Sequence, residues 1–370
     1  MIGFTQSLSE RLLKTGWQSW SYEPYGSKPF LEIPQCIYSP KKYEVIPNID
    51  WVGKEHKKPI TGWCSWYSYG WDINSERILR NAVWMSQNKQ IPLEYVLIDA
   101  GWANAGDWFQ EWKSKFPKGL KGLVSEINSL GLQAGIWIAP FMVDPWSDLA
   151  KKHPDWLVKS EGKFVDGFRL TQWDKFLPFK KWIINMKNEE AKKYIHSSIE
   201  RLVEDVGVTL LKMDFLYSIY FDPNITIDEA DQIIKDFLSE IKNKYPNLYT
   251  IGCGCPLVPA VGLVDSMRIG PDTVVSPFVK FLPLSGIFDS LFMHNRVIKT
   301  LHNRMWTKDL WNIDPDAFVC RPDIGLSESQ ILFSLETIKK TGGNIFVGDK
   351  LDELSQDRIE KYIIPLFNKD

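Results

Sequence analysis

At 370 residues, with 44% hydrophobic and 24% charged residues, the chain has ordinary globular composition and room for one large domain or two smaller ones. A formal net charge of −2 gives no electrostatic basis for a nucleic-acid or anionic-membrane partner. No apolar run approaches the roughly 18 residues that span a bilayer, and Met1 to Lys14 lacks a leader-like apolar stretch, so a cytoplasmic location is expected.

Residues 1–59 hold many Pro, Lys and Tyr residues and sustain no period of 2 or 3.6, which predicts an irregular arm. From Ile60 to the end, strand-like runs alternate with amphipathic helical stretches. Ile60–Trp66 precedes a helix over Asn74–Asn88, and Glu94–Ile98 precedes one over Leu120–Leu130. Gln133–Ile138 leads through a long aromatic loop to a helix over Glu189–Asp205. Val208–Met213 precedes a helix over Ile227–Lys244. Leu248–Ile251 and Val264–Ile269 then lead to a helix near Phe288–His302. A seventh strand is expected near Phe318–Cys320, before a helix over Glu328–Lys340. Asn344–Val347 ends the series with a helix over Ser355–Leu366. Roughly eight strand–helix units of this size predict a (β/α)8 TIM barrel over 60–370, with 1–59 as a short irregular N-terminal arm. A doubly wound open sheet is the alternative, but no G-x-G-x-x-G or P-loop pattern accompanies it.

Five cysteines, Cys36, Cys64, Cys253, Cys255 and Cys320, argue against a complete disulfide framework and suit a reducing compartment. The histidines are scattered, and no metal-ligand cluster or cofactor motif is visible, so neither metal nor cofactor is expected. Seventeen tryptophans are the compositional outlier. Most should pack in the core, but indole faces also suit the C–H faces of sugars.

A barrel places chemistry at strand C-termini and the following loops. Asp99 ends the second strand, Trp137 lies near the end of the third, Lys212 and Asp214 end the fourth, and Arg268 ends the sixth with Asp272 in its loop. Asp314 and Asp316 lie just before the expected seventh strand. Side-chain alternation puts Lys212 and Asp214 on one face. An ammonium beside Asp214 would favour the ionised carboxylate that a nucleophile needs. Asp272 follows Gly270 and Pro271, a pattern equally at home in a plain turn. Paired with Asp214, it could protonate a leaving group; retaining glycosidases hold two carboxyls about 5–5.5 Å apart. Asp99 and Arg268 would bind sugar hydroxyls, and Trp137 would stack on the ring. Cys253 reads equally well as a small buried apolar residue.

Thr61-Gly62-Trp63-Cys64-Ser65-Trp66-Tyr67, Lys212-Met213-Asp214-Phe215, Gly252-Cys253-Gly254-Cys255-Pro256-Leu257, Met267-Arg268-Ile269-Gly270-Pro271-Asp272-Thr273 and Asn312 with Asp314-Pro315-Asp316 occur in an order that resembles glycoside hydrolase family 36, the α-galactosidases of clan D. The resemblance implies a retaining α-galactosidase acting on terminal α-D-galactosyl residues, with Asp214 as nucleophile and Asp272 as acid/base. It implies a galactose site lined by Asp99, Trp137, Lys212, Cys253 and Arg268, with Trp66 nearby, and no metal or organic cofactor. Gly16-Trp17-Gln18-Ser19-Trp20 is similar to a loop that the family's N-terminal β-sandwich extends into the active site, which would place Trp20 in the pocket wall. The partner is a small carbohydrate.

Three departures stand out. Ala100 replaces the second of two adjacent Asp residues usual in the family, which bears on the glycone that is bound. The N-terminal β-domain is reduced to the arm, and the chain ends after the eighth helix without a C-terminal β-domain. A surface bared by those domains would favour a homo-oligomer. A transglycosylase similar to raffinose synthases and a non-catalytic carbohydrate-binding barrel needing a partner are the alternative functions.

Overall fold

The computed structural model describes residues 57–168, 180–274 and 294–368. Nine strands form one sheet: β1 (Thr61–Cys64), β2 (Tyr95–Ile98), β3 (Gln133–Ile138), β4 (Leu210–Met213), β5 (Tyr249–Gly252), β6 (Ser266–Arg268), β7 (Asn312–Asp314), β8 (Ala317–Phe318) and β9 (Ile345–Val347). Their order is β7-β6-β5-β4-β3-β2-β1-β9-β8, and every neighbouring pair is parallel. The architecture is therefore α/β and TIM-barrel-like, a curled parallel sheet wrapped by helices.

The expected seventh strand is corrected. It lies earlier than Phe318–Cys320 and is divided into β7 and β8. Pro315 has no N–H to give to a ladder, and Asp316 takes a left-handed backbone with φ 79. The segment therefore bonds β6 through its first half and β9 through its second.

The helices follow the apolar periodicity closely: α1 (Ser75–Gln87), α2 (Gly119–Ser129), α3 (Glu189–Glu200), α4 (Ile227–Lys244), α5 (His294–Arg304) and α6 (Glu328–Thr341). Their starts are chemically marked. The Asn74 side chain accepts the Arg77 N–H. Thr226 with Glu229, and Ser327 with Gln330, each form a reciprocal capping box. Such caps contribute about 1 kcal/mol apiece. The run expected to Asp205 leaves α-helical form at Glu200, widens into a π turn over Arg201–Val206 and stops at Gly207, φ 87. The final helix is similarly interrupted by a π turn, Ile359–Ile363. The start of the helix expected near Phe288 lies outside the described residues, as does nearly all of the arm 1–59.

Strand interiors are buried on both faces, as a parallel sheet under helices requires. Gly62 shows how tightly they approach: a Cβ there would lie 2.5 Å from the Tyr95 carbonyl oxygen and 2.7 Å from the Phe346 ring. The described tryptophans range from core to surface. Trp63, Trp102, Trp108 and Trp311 are fully buried, while Trp71, Trp112 and Trp146 are exposed. Among the described residues, no helix is long and apolar enough to cross a membrane.

Candidate active site

Backbone hydrogen bonds carry the ladder one residue beyond several strands, which fixes where the functional side chains start. The Asp214 N–H donates to the Ile138 carbonyl at 2.8 Å, and the Cys253 N–H to that of Met213 at 2.8 Å. The Ile269 N–H likewise reaches the Asp314 carbonyl at 3.2 Å. Asp99, Trp137, Lys212, Asp214, Cys253, Arg268 and Asp272 thus gather at the C-terminal end of the sheet, the end expected to carry chemistry.

Asp214 is oriented from two sides. The Trp137 indole N–H donates to its Oδ2 at 3.0 Å, and the Phe215 backbone N–H donates to its Oδ1 at 2.8 Å. Phe215 adopts a left-handed backbone, φ 56, and Gly254 faces it with φ 50. A Cβ on Gly254 would stand 3.1 Å from Asp214 Oδ1, so this glycine serves both the turn and the space beside the carboxylate. Trp137 is itself backed edge-on by Trp108 and by Phe215, at ring separations of 6.1 and 6.4 Å. The Trp102 indole N–H donates to its carbonyl at 2.8 Å. The sequence placed Trp137 at the site but not its hydrogen bond to Asp214.

Lys212 corrects an expectation. Its ammonium pairs with Asp99, Nζ to Oδ2 at 2.8 Å, rather than with Asp214 two residues away. Both partners are almost fully buried. Asp99 Oδ2 also accepts the Cys64 thiol at 3.4 Å, and Oδ1 accepts the Ala100 N–H at 2.8 Å. Ala100 is buried, so no second carboxylate stands beside Asp99. Cys253 is buried in the same end, and burial, followed by the Asp214 charge, pushes its thiol pKa well up. It is a neutral lining group.

Asp272 sits at the mouth, with 49% of its side-chain surface open. Arg268 Nη2 donates to its Oδ1 at 3.1 Å. Although half of its side chain is open, its pKa is raised, chiefly by the protein packed around the carboxyl, and the Asp316 and Asp214 charges add to the rise while Arg268 and Lys212 oppose it. Burial likewise raises Asp314. Asp214 is thus a half-buried acceptor held by two donors, and Asp272 is a carboxyl whose surroundings raise its pKa. Such a division suits one nucleophile and one acid.

Tyr67 and Thr273 appeared in the sequence only inside longer motifs, and Asp316 only in a motif and by its place before the seventh strand, without a role at the site. Asp316 Oδ2 accepts from Arg268 Nη2 at 2.7 Å, from the Thr273 N–H at 2.8 Å and from the Tyr67 hydroxyl. Trp66 is half-buried in the short helical turn Trp66–Tyr69 after β1 and lies edge-on to Trp71 at 6.0 Å. Trp20 lies outside the described residues. Among the described residues, no group of three or more His, Cys, Asp or Glu side chains is arranged to hold a metal ion. Cys64, Cys253, Cys255 and Cys320 are free thiols, all buried.

Comparison with known proteins places the chain among glycoside hydrolase relatives. The family model described as Melibiase matches residues 25–255. The α-galactosidase AgaA of Geobacillus stearothermophilus is 29% identical over 164 residues, covering 40% of this chain and 20% of the enzyme. An α-galactosidase of Escherichia coli is 28% identical over 158 residues, with the same shares of 40% and 20%. Each match therefore spans about a fifth of the curated enzyme. The Thermus thermophilus α-galactosidase in complex with p-nitrophenyl α-D-galactopyranoside superposes with TM-score 0.70 at 25% identity, covering 86% of this chain and 63% of that one.

Proposed function

Because the chain belongs to the melibiase family, of the glycoside hydrolase family 36 type, we propose that it is a retaining α-galactosidase with Asp214 as nucleophile and Asp272 as acid/base. The observation that carries this reading is the unequal setting of the two carboxyls at one end of the sheet. Asp214 accepts from Trp137 and Phe215, while Asp272 shares Arg268 with a neighbouring carboxylate. We read the sheet as a closed (β/α)8 barrel over 60–370, joined through the divided segment of β7 and β8.

In the first step Asp214 attacks the anomeric carbon as the glycosidic bond breaks, and Asp272 gives its proton to the departing oxygen. In the second, Asp272 takes a proton from water, which displaces Asp214 from the anomeric carbon and releases the sugar. Two inversions leave the original configuration. Lys212 and Asp99 form one wall that would meet sugar hydroxyls, and Arg268 forms another. Ala100 offers no charged acceptor beside Asp99, which favours a glycone with little to bind there. Comparing 4-nitrophenyl α-D-galactopyranoside with the β-L-arabinopyranoside, which lacks the hydroxymethyl group, reads that preference.

Azide rescue tests the assignment. Asp214→Gly lacks the nucleophile and leaves room on the face it attacked from. With azide and an activated α-galactoside it should regain turnover and form the β-galactosyl azide, by a single inversion. An α-azide product would remove Asp214 from the nucleophile's role.

A further inference from the structure

We infer that Asp316 is a positioning residue for Asp272, holding the loop that carries it and drawing off part of the Arg268 guanidinium so that the Asp272 carboxyl can keep its proton. This rests on the reading of Asp272 as acid/base.

The geometry is convergent. Asp316 is buried, with 4% of its side-chain surface open, whereas Asp272 is at the mouth. One oxygen, Oδ2, collects donors from three stretches of chain. Arg268 comes from the end of β6, Tyr67 from the short helical turn Trp66–Tyr69 after β1, and Thr273 is the next residue after Asp272. The Thr273 hydroxyl lies 3.0 Å from Asp316 Oδ2 and 2.9 Å from the Ala317 carbonyl, and its single proton serves one of them at a time. The Tyr67 hydroxyl donates to Asp316 and accepts the Thr273 N–H at 3.1 Å, closing a ring around the residue that follows Asp272. Asp316 also holds a left-handed backbone, φ 79, with its N–H donating to Asp314 Oδ1 at 3.0 Å. Non-glycine residues persist there when surrounding contacts over-determine them.

The electrostatics follow from the shared donor. Arg268 Nη2 reaches Asp272 at 3.1 Å and Asp316 at the shorter distance of 2.7 Å. An arginine paired with Asp272 alone would stabilise its carboxylate and strip it of acid character. Among the described residues, the charged and titratable groups that act on Asp272 include Arg268 from β6, Asp316 from between β7 and β8, Lys212 and Asp214 from the end of β4, and Tyr67 from the short helical turn after β1. Neutralising Asp316 removes one negative neighbour and frees Arg268, and both changes favour ionised Asp272. The alkaline limb of activity, where the acid loses its proton, must then move to lower pH.

The test compares kcat/KM of wild type, Asp272→Ala, Asp316→Asn and Tyr67→Phe for methyl α-D-galactopyranoside, whose leaving group needs a proton, and for 2,4-dinitrophenyl α-D-galactopyranoside, whose leaving group does not. Acid catalysis is typically worth about 10²- to 10⁴-fold. Asp316→Asn should lose roughly tenfold to a hundredfold on the methyl glycoside and only a few-fold on the dinitrophenyl glycoside, with its alkaline limb displaced to lower pH. Equal losses on both with the wild-type pH profile, or no loss, would overturn the inference. Should Asp316→Asn not fold, Tyr67→Phe decides. A several-fold loss confined to the methyl glycoside supports the tether, and an equal loss on both contradicts it. A leaving-group-dependent defect in Asp272→Ala without one at Asp316 sinks only the positioning role; wild type inactive on both glycosides sinks the glycosidase reading as well.

Discussion

The two ends of the parallel sheet are built from different chemistry. At the end where the strands begin, many of the bonds are between neutral groups and meet one another. Asn344 Oδ1 accepts the Ile60 N–H at 3.1 Å and the Tyr249 hydroxyl at 2.9 Å, and its Nδ2 donates to Ser266 Oγ at 2.9 Å. Asn312 Nδ2 donates to the Tyr249 hydroxyl at 3.1 Å and to the Lys57 carbonyl at 2.7 Å. Residues of β5, β6 and β7 and those just before β1 and β9 are stitched together, and the charges in that network are matched one to one, Lys57 Nζ meeting Asp265 Oδ2 at 3.2 Å. At the other end, among the described residues, Asp99, Asp214, Asp272, Asp314 and Asp316 lie with the cations Lys212 and Arg268. Carboxyls outnumber cations there among the described residues, and Asp272 and Asp314 are both shifted upward, chiefly by the protein packed around them. The comparison teaches that satisfied neutral bonds hold the sheet, whereas an imbalance of buried charge leaves groups poised for proton transfer.

Three substitutions sharpen that contrast. Lys212→Met would leave Asp99 buried without its cation, a change that typically costs about 3–5 kcal/mol. Denaturant unfolding should show that loss, and Lys212→Met combined with Asp99→Asn should recover part of it. Equal stability of the single and double variants would break the claim that the ammonium is there for Asp99. Asn344→Ala should come next, at about 2–3 kcal/mol, because it orphans buried donors at the neutral end. Its turnover per folded molecule should stay near wild type; a large fall would show that the two ends are not separable. Trp137→Phe keeps a ring but removes one donor to the Asp214 carboxylate. A hydrogen bond to a charged group is worth roughly 1.5–3 kcal/mol, so kcat should fall about tenfold or somewhat more with stability little changed. An unaltered kcat would mean that Phe215 alone suffices to orient Asp214.

Much of the fold was legible because local pattern and burial agreed. Gln133–Ile138 and Ile227–Lys244 match the expected bounds, since their apolar spacing, caps and flanking turns all mark the same residues. The divided seventh strand was not, because Pro315 and the left-handed Asp316 break the run of apolar residues that would have marked it. Asp214, Asp272, Asp99 and Arg268 were visible as ionisable residues at strand ends. Their partners were not. Lys212 lies two residues from Asp214 in sequence but bonds Asp99, 113 residues away. Tyr67 meets Asp316 across 249 residues. Alternation along a strand reports which face a side chain takes, but only the curl of the sheet decides which side chains on that face touch. The abundance of tryptophan was likewise ambiguous, since Trp102 and Trp108 support Trp137 from the core while Trp71, Trp112 and Trp146 lie open.

The central claim is that Asp214 makes this chain a glycosidase. Its most direct test is hydrolysis of 4-nitrophenyl α-D-galactopyranoside by the purified 370-residue chain and by Asp214→Ala, with matched unfolding curves. The account predicts turnover by wild type and a fall on the order of 10⁴-fold or more in the variant, the scale on which loss of a covalent nucleophile acts, with the fold retained. Turnover that survives in Asp214→Ala would contradict it.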